Sequence, residues 1–265
     1  MNLNIDAEKQ NTYDAIVVGT GISGGWAAKE LTEKGLKTLV LERGPMVKHP
    51  DYPTATKNPW DFPYGMKPTQ EDLKNQGVQA RTGYTVQQPS KHWFVNDLEH
   101  PYNETKRFDW MRGYHVGGRS IMWGRQSYRW SDLDFNANAK EGIAVDWPIR
   151  YRDIEKWYDY IETYIGVSGQ NEGLSQLPDG KFLPPMELNC VEKEFQKALK
   201  SKMGRSLTIG RTAHATAPLP HSPLRGTCQF RNLCIRGCPY GGYFSSNSST
   251  LPAAEATGNM TLRPN

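Results

Sequence analysis

The feature that most limits what this chain can fold into lies near its start. Residues 14–18 (DAIVV) form a short β-branched apolar run, the pattern of a buried parallel strand. A glycine-rich turn follows, Gly19-x-Gly21-x-x-Gly24, leading into helical spacing over residues 22–34 with Ile22, Trp26, Ala27 and Leu31. Gly35 stops that helix as a left-handed cap. Residues 37–41 (KTLVL) are a second buried strand, ended by Glu42-Arg43-Gly44. The order strand, glycine turn, helix, strand, acid is the opening βαβ unit of a doubly wound, Rossmann-like α/β sheet that binds a dinucleotide.

Each position has a physical task. Gly19 permits the tight turn, Gly21 lets main chain approach the pyrophosphate, and Gly24 lets helix and strand pack closely. The helix start at Ile22 and Ser23 offers N–H groups and a partial positive charge to the phosphates. Glu42 is placed to accept from the adenosine ribose hydroxyls, and its charge disfavours a 2′-phosphate. Glu42-Arg43-Gly44 followed by a long irregular stretch favours FAD over NAD.

Beyond that unit the chain is less regular. Residues 45–105 are rich in Pro, Tyr, Trp, Asn and Gln. A structureless loop that long is unusual inside a compact domain, so it is expected to cover a cofactor or feed a second domain. The aromatics at 84–102 suit sugar stacking or simply pin a surface loop. A second glycine-rich segment occupies 113–124 (GYHVGGRSIMWG). Helices are predicted over 151–165, with Ile154, Trp157, Tyr158, Ile161 and Ile165 as a core stripe, and over 190–203, with Val191, Phe195, Leu199 and Met203 in register. A helix or turn at 250–257 leads to a strand at 260–263. The expected organisation is a FAD-binding βαβ unit over 1–44, a covering loop over 45–105, and a flavin-contacting segment over 106–135. Part of an incomplete, interleaved substrate domain fills 136–222, and a cysteine-bearing return to the FAD domain fills 223–265.

Composition excludes several classes. With 265 residues and a net charge of +4 but no Lys/Arg tract, nucleic-acid binding is not expected. No apolar run approaches the ~20 residues of a membrane span. The polar start MNLNIDAEKQNTYD is unlike a secretory signal peptide, which predicts a cytoplasmic chain or one carried across a membrane by a signal-bearing partner.

The turn from Gly19 to Gly44, the segment GYHVGGRSIMWG and the stretch DWPIRYRDIEKWYDYIETYIGVSG at 146–169 together resemble the glucose–methanol–choline (GMC) family of FAD-dependent oxidoreductases. The branch with gluconate, fructose and glucoside dehydrogenases is the most similar. The resemblance runs from about Tyr13 to the last residue. It implies that Val116, Gly117, Gly118 and Ser120 lie against the flavin and its diphosphate, with Trp123 and Gly124 nearby and Arg43 beside the cofactor. Paired glycines suit that role, because they let main-chain N–H groups reach an anionic group. It implies also that this is the N-terminal part of a longer enzyme whose catalytic His lies past residue 265. None of the six histidines, His49, His92, His100, His115, His214 and His221, matches the catalytic positions.

Four cysteines are present, and Cys228, Cys234 and Cys238 fall within eleven residues, the last followed by Pro239. Clustered thiolates suit an iron–sulfur cluster or zinc. Reduced thiols without metal, or zinc with His221 as a further ligand, are the alternatives. The spacing resembles the motif for a 3Fe–4S cluster in membrane-linked sugar dehydrogenases of the family. Cys190 is expected to be a buried small hydrophobe.

The function these features predict is a dehydrogenase that oxidises a CH–OH group of a sugar, glycoside or polyol, with FAD and the cluster passing electrons to an external cytochrome c or quinone. A small partner subunit is expected. The competing readings are a non-catalytic FAD-binding fragment and an NAD-dependent enzyme with structural zinc.

Overall fold

The computed structural model describes residues 12–82 and 85–265. The polar start up to residue 11 and Tyr84 of the aromatic loop lie outside the described residues. In chain order the elements are β1 (Ala15–Val18), α1 (Ile22–Glu33), β2 (Thr38–Glu42), α2 (Gln70–Asn75), α3 (Gly77–Ala80), α4 (Asp132–Glu141), α5 (Tyr151–Ile165), α6 (Cys190–Met203), α7 (Thr250–Ala256) and β3 (Met260–Pro264), with short 3-10 turns between them. Two compact units result. One comprises residues 1–123, 229–241 and 245–265, and the other residues 124–228 and 242–244.

The first unit is built on a three-stranded parallel sheet in the order β1-β2-β3. Ala15 pairs with Thr38, and Thr38 with Met260. The expected βαβ unit is therefore present, and the last strand joins it beside β2. Val17, Val40, Ala28 and Ala254 form the core between the sheet and the helices α1 and α7, with Leu31, Met260 and Leu262 packed around them. Small residues on the helices let them approach closely. Gly25 has no room for a side chain, because a Cβ there would lie 2.6 Å from the Thr250 hydroxyl.

Of the two predicted buried strands, β2 is buried from Thr38 to Val40, whereas β1 is buried on one face only, with Ile16 and Val18 63% and 82% exposed. A second core holds Tyr52, Trp93, Phe94, Ile121 and Met122. It organises the long 45–105 stretch, which forms short turns and the small helices α2 and α3.

The second unit carries α4, α5 and α6. Gly142, Gly166 and Gly204 end them in the left-handed conformation. Its interior carries buried cations beside apolar residues such as Phe135, Val167 and Phe244. Arg129 donates to Glu162 (2.9 Å from Nε) and Asp159 (2.6 Å), and the fully buried Arg211 donates to the Pro178 carbonyl at 2.6 Å. The stripe predicted as core along α5 is only partly so: Ile165 is buried, but Trp157 and Ile161 are exposed. On α6 the apolar stripe faces water, with Val191, Phe195 and Met203 all exposed. Cys190, at the first position of that helix, is exposed rather than buried. Among the described residues no helix is long and apolar enough to cross a membrane.

Candidate functional site: a glycine-lined dinucleotide cradle

The turn between β1 and α1 has the geometry the glycines predict. Gly19 has φ +93°, a conformation L side chains rarely adopt. A Cβ on Gly24 would sit 2.0 Å from the Gly19 carbonyl oxygen, so helix and turn meet backbone to backbone. At Gly21 the same construction meets nothing within 4 Å, leaving open space where a ligand would approach. Gly21 is the N-cap of α1, and no side chain caps that end. The first N–H groups of a helix have no partner within it, and the side chains of Ile22 and Ser23 are exposed beside them.

The second glycine-rich segment comes to the same place. Gly117 has φ +90° and Gly118 φ +46°. A Cβ on Gly118 would be 3.5 Å from the Gly21 Cα. Ser120 is buried, and its hydroxyl donates to the Gly117 carbonyl (2.5 Å) while accepting from the Ser246 N–H (2.9 Å). Trp123 is half-buried and closes this unit's part of the segment, whereas the exposed Gly124 begins the other unit. Arg43 is exposed, its guanidinium 3.8 Å from the Tyr114 ring centroid.

Glu42 is buried at the end of β2. Its Oε2 accepts from the Thr20 N–H (3.0 Å) and hydroxyl (2.5 Å), and its Oε1 from the Gly44 N–H (3.0 Å). The Thr20 oxygen in turn accepts from the Gly117 N–H at 2.9 Å. Thr20, an unspecified position of the fingerprint, thus joins the two glycine segments.

Other contributors escape a fingerprint search. The turn at 245–249 ties the segments from behind: Ser246 Oγ donates to the Gly21 carbonyl (3.0 Å), and Asn247 Nδ2 donates to the Val47 (2.9 Å) and Val116 (3.2 Å) carbonyls. A Cβ on Gly44 would lie 2.1 Å from the Tyr114 carbonyl carbon. The run Ser245-Ser246-Asn247-Ser248-Ser249 was the available signal, because short polar side chains bond readily to nearby main chain. A cavity of about 650 Å³ opens beside this tie, lined in part by Val47, Val116, Asn247 and Leu251.

The histidines near the cradle are held neutral. Burial pushes His115 below its ordinary value despite the nearby Glu42 carboxylate. Burial, with His115 and Lys91 adding to it, pushes His92 down to about 4. Trp93, from the aromatic loop, is a core residue whose Nε1 donates to the Arg236 carbonyl at 3.1 Å, not a sugar platform.

Among the described residues, no group of three or more His, Cys, Asp or Glu side chains is placed to hold a metal ion, so the expected cluster is not supported. Cys228 belongs to the second unit, and Cys234 and Cys238 to the first. Cys234 and Cys238 flank a segment tied by Arg236 and Ile235. Arg236 Nη1 donates to the Thr54 (3.2 Å) and Lys57 (2.6 Å) carbonyls, and Ile235 packs on the core containing Tyr52 and Met122. Zinc at His221 is also not formed; its Nε2 pairs with the Tyr164 carbonyl oxygen at 2.8 Å.

Parallel strands, an uncapped helix start and two converging glycine turns form a Rossmann-like α/β unit. No family model matches the chain. Similarity to curated proteins is extensive. The chain is 25% identical to the fructose dehydrogenase large subunit of Gluconobacter japonicus over 91% of its own length and 43% of that protein. It is 24% identical to the gluconate 2-dehydrogenase flavoprotein of Pantoea cypripedii over 98% of its length and 45% of that protein. It is 30% identical to the oxygen-dependent choline dehydrogenase of Xanthomonas axonopodis pv. citri over 62% of its length and 26% of that protein. These relatives are oxidoreductases of the glucose–methanol–choline family, to which the chain is similar, and it spans less than half their length.

Proposed function

We propose that this chain supplies the FAD-binding part of a dehydrogenase that oxidises a CH–OH group of a sugar, glycoside or polyol. The observation that carries the reading is the cradle: an uncapped α1 start at Gly21, open space over that glycine, and Gly118 lying 3.5 Å from it in the Cβ construction. The residues fit FAD. The helix start would hold the pyrophosphate, with Gly19, Gly21 and Gly24 shaping the approach. Glu42 would lie at the ribose end, where its charge repels a 2′-phosphate. Val116, Gly117 and Gly118 would bring main chain to the flavin side, and Trp123 and Gly124 would follow. Bound FAD would supply an acceptor for one hydride, that is two electrons and a proton. The chain's own contribution is to bind and orient it; no general base is assigned to a described residue.

The relatives' names mention fructose, gluconate and choline, so a small hydroxylated substrate is the class proposed. A partner subunit and an external electron acceptor belong to the same proposal.

Anaerobic purification followed by absorption and EPR spectra tests it. Flavin bands that bleach on adding a sugar or polyol support the reading. Bound nicotinamide dinucleotide with stoichiometric zinc would sink it. A three-iron EPR signal would show that the thiols assemble on metal loading.

A further inference from the structure

The structure assigns Thr20 as a positioning residue that couples the two glycine segments, with Glu42 as its anchor. The assignment rests on the cradle being the FAD site proposed above. Thr20 is fully buried. Its hydroxyl has one proton, and that proton goes to Glu42 Oε2 at 2.5 Å. The oxygen's lone pair is thereby turned to the Gly117 N–H at 2.9 Å. The Thr20 N–H reaches the same carboxylate oxygen at 3.0 Å, and the Gly44 N–H reaches the other at 3.0 Å.

The polarity runs one way. An ionised carboxylate only accepts, so Thr20 must donate to it and must present an acceptor to Gly117. Gly117 cannot be held by a side chain of its own: its φ is +90°, and a Cβ would fall 1.7 Å from Asn247 Oδ1. The Thr20 hydroxyl is therefore the polar link that fixes the Gly117 main chain from the side of the first glycine turn. Glu42 already accepts three hydrogen bonds from its own chain. An acid serving the ribose alone would matter only when ligand is bound, whereas this one shapes the cradle before ligand arrives.

Thr20→Val removes the hydroxyl and keeps the shape, Thr20→Ser keeps the hydroxyl, and Glu42→Gln replaces one acceptor by a donor facing an N–H. The readouts are amide hydrogen exchange over residues 113–121 without ligand, and FAD affinity from quenching of flavin fluorescence. In Thr20→Val, exchange in that segment should quicken and FAD binding should weaken about tenfold, the scale of one hydrogen bond linked to a charged group. Thr20→Ser should restore both to within about twofold. Glu42→Gln should quicken the same exchange with no FAD present, which decides the matter if Thr20→Val does not fold. Exchange over 113–121 that is unchanged in Glu42→Gln, or equally fast in Thr20→Val and Thr20→Ser, overturns the coupling. Wild-type protein that binds no FAD overturns the cofactor reading alone, because the exchange contrast needs no ligand.

Discussion

The glycine cradle and the segment from Cys234 to Cys238 lie in one compact unit and are held in opposite ways. The cradle is closed by the groups that define it: Gly19 turns, Gly24 meets Gly19 backbone to backbone, and Glu42 gathers Thr20 and Gly44. The cysteine segment is tied through Arg236, bonded to the Thr54 and Lys57 carbonyls, with its own carbonyl receiving Trp93. A site made of main-chain geometry is complete once the chain is folded. A site made of side-chain ligands around a metal gains much of its organisation from the metal itself. The two motifs therefore imply different degrees of order in the ligand-free chain.

Substitutions can break that contrast. The largest effect is expected at Gly24 and Gly44. Alanine at either drives a Cβ to 2.0–2.1 Å from backbone atoms that cannot retreat cheaply. Gly24→Ala or Gly44→Ala should cost ~3 kcal/mol or more of stability, read by denaturant unfolding, and abolish FAD binding. Arg236→Ala comes next. It leaves buried carbonyls short of a donor and should cost about 2 kcal/mol, whereas Cys238→Ser should cost under about 1 kcal/mol in metal-free protein. A reversed order would show that the thiols, not the arginine, hold the segment.

Acid gives a smaller effect, and its sign is fixed. Burial pushes His115 down, and in the second unit burial with Arg125 and Arg225 pushes His214 from 6.5 to about 4. A depressed folded value means the fold favours the neutral ring. The stability it contributes is full above pH 6.5 and is lost as pH falls from there toward about 4. The melting temperature should therefore be flat near neutrality and decline below pH 6.5. A melting temperature that rises on acidification contradicts the burial of these rings. The smallest effect is at Cys190: exposed on α6, its change to Ser should stay within about 0.5 kcal/mol.

What could be read in the sequence was what depends on local pattern. The strands at Ala15–Val18 and Thr38–Glu42, the helix between them, the left-handed Gly35 and Gly166, and the late strand at Met260–Pro264 all follow from short-range spacing and glycine chemistry. Burial was less legible, because it depends on what packs against an element. The apolar runs of β1 and α6 correctly mark strand and helix, yet Val18 and Phe195 face water where no described layer covers them. Thr20 was invisible for another reason. The fingerprint leaves its position open, and its importance appears only when Gly117, nearly a hundred residues on, arrives beside it. The cysteine spacing suggested a ligand set, but among the described residues no metal-holding group of three or more such side chains is found.

The central claim is that the chain holds a FAD cradle formed by its own main chain. It is tested most directly by titrating the purified protein with FAD while following the quenching of flavin fluorescence, with NADP as competitor. The account predicts saturable one-to-one binding that excess NADP leaves intact, because in the proposed site the charge of Glu42 would repel a 2′-phosphate. Absence of saturable FAD binding, or ready displacement by NADP, would contradict it.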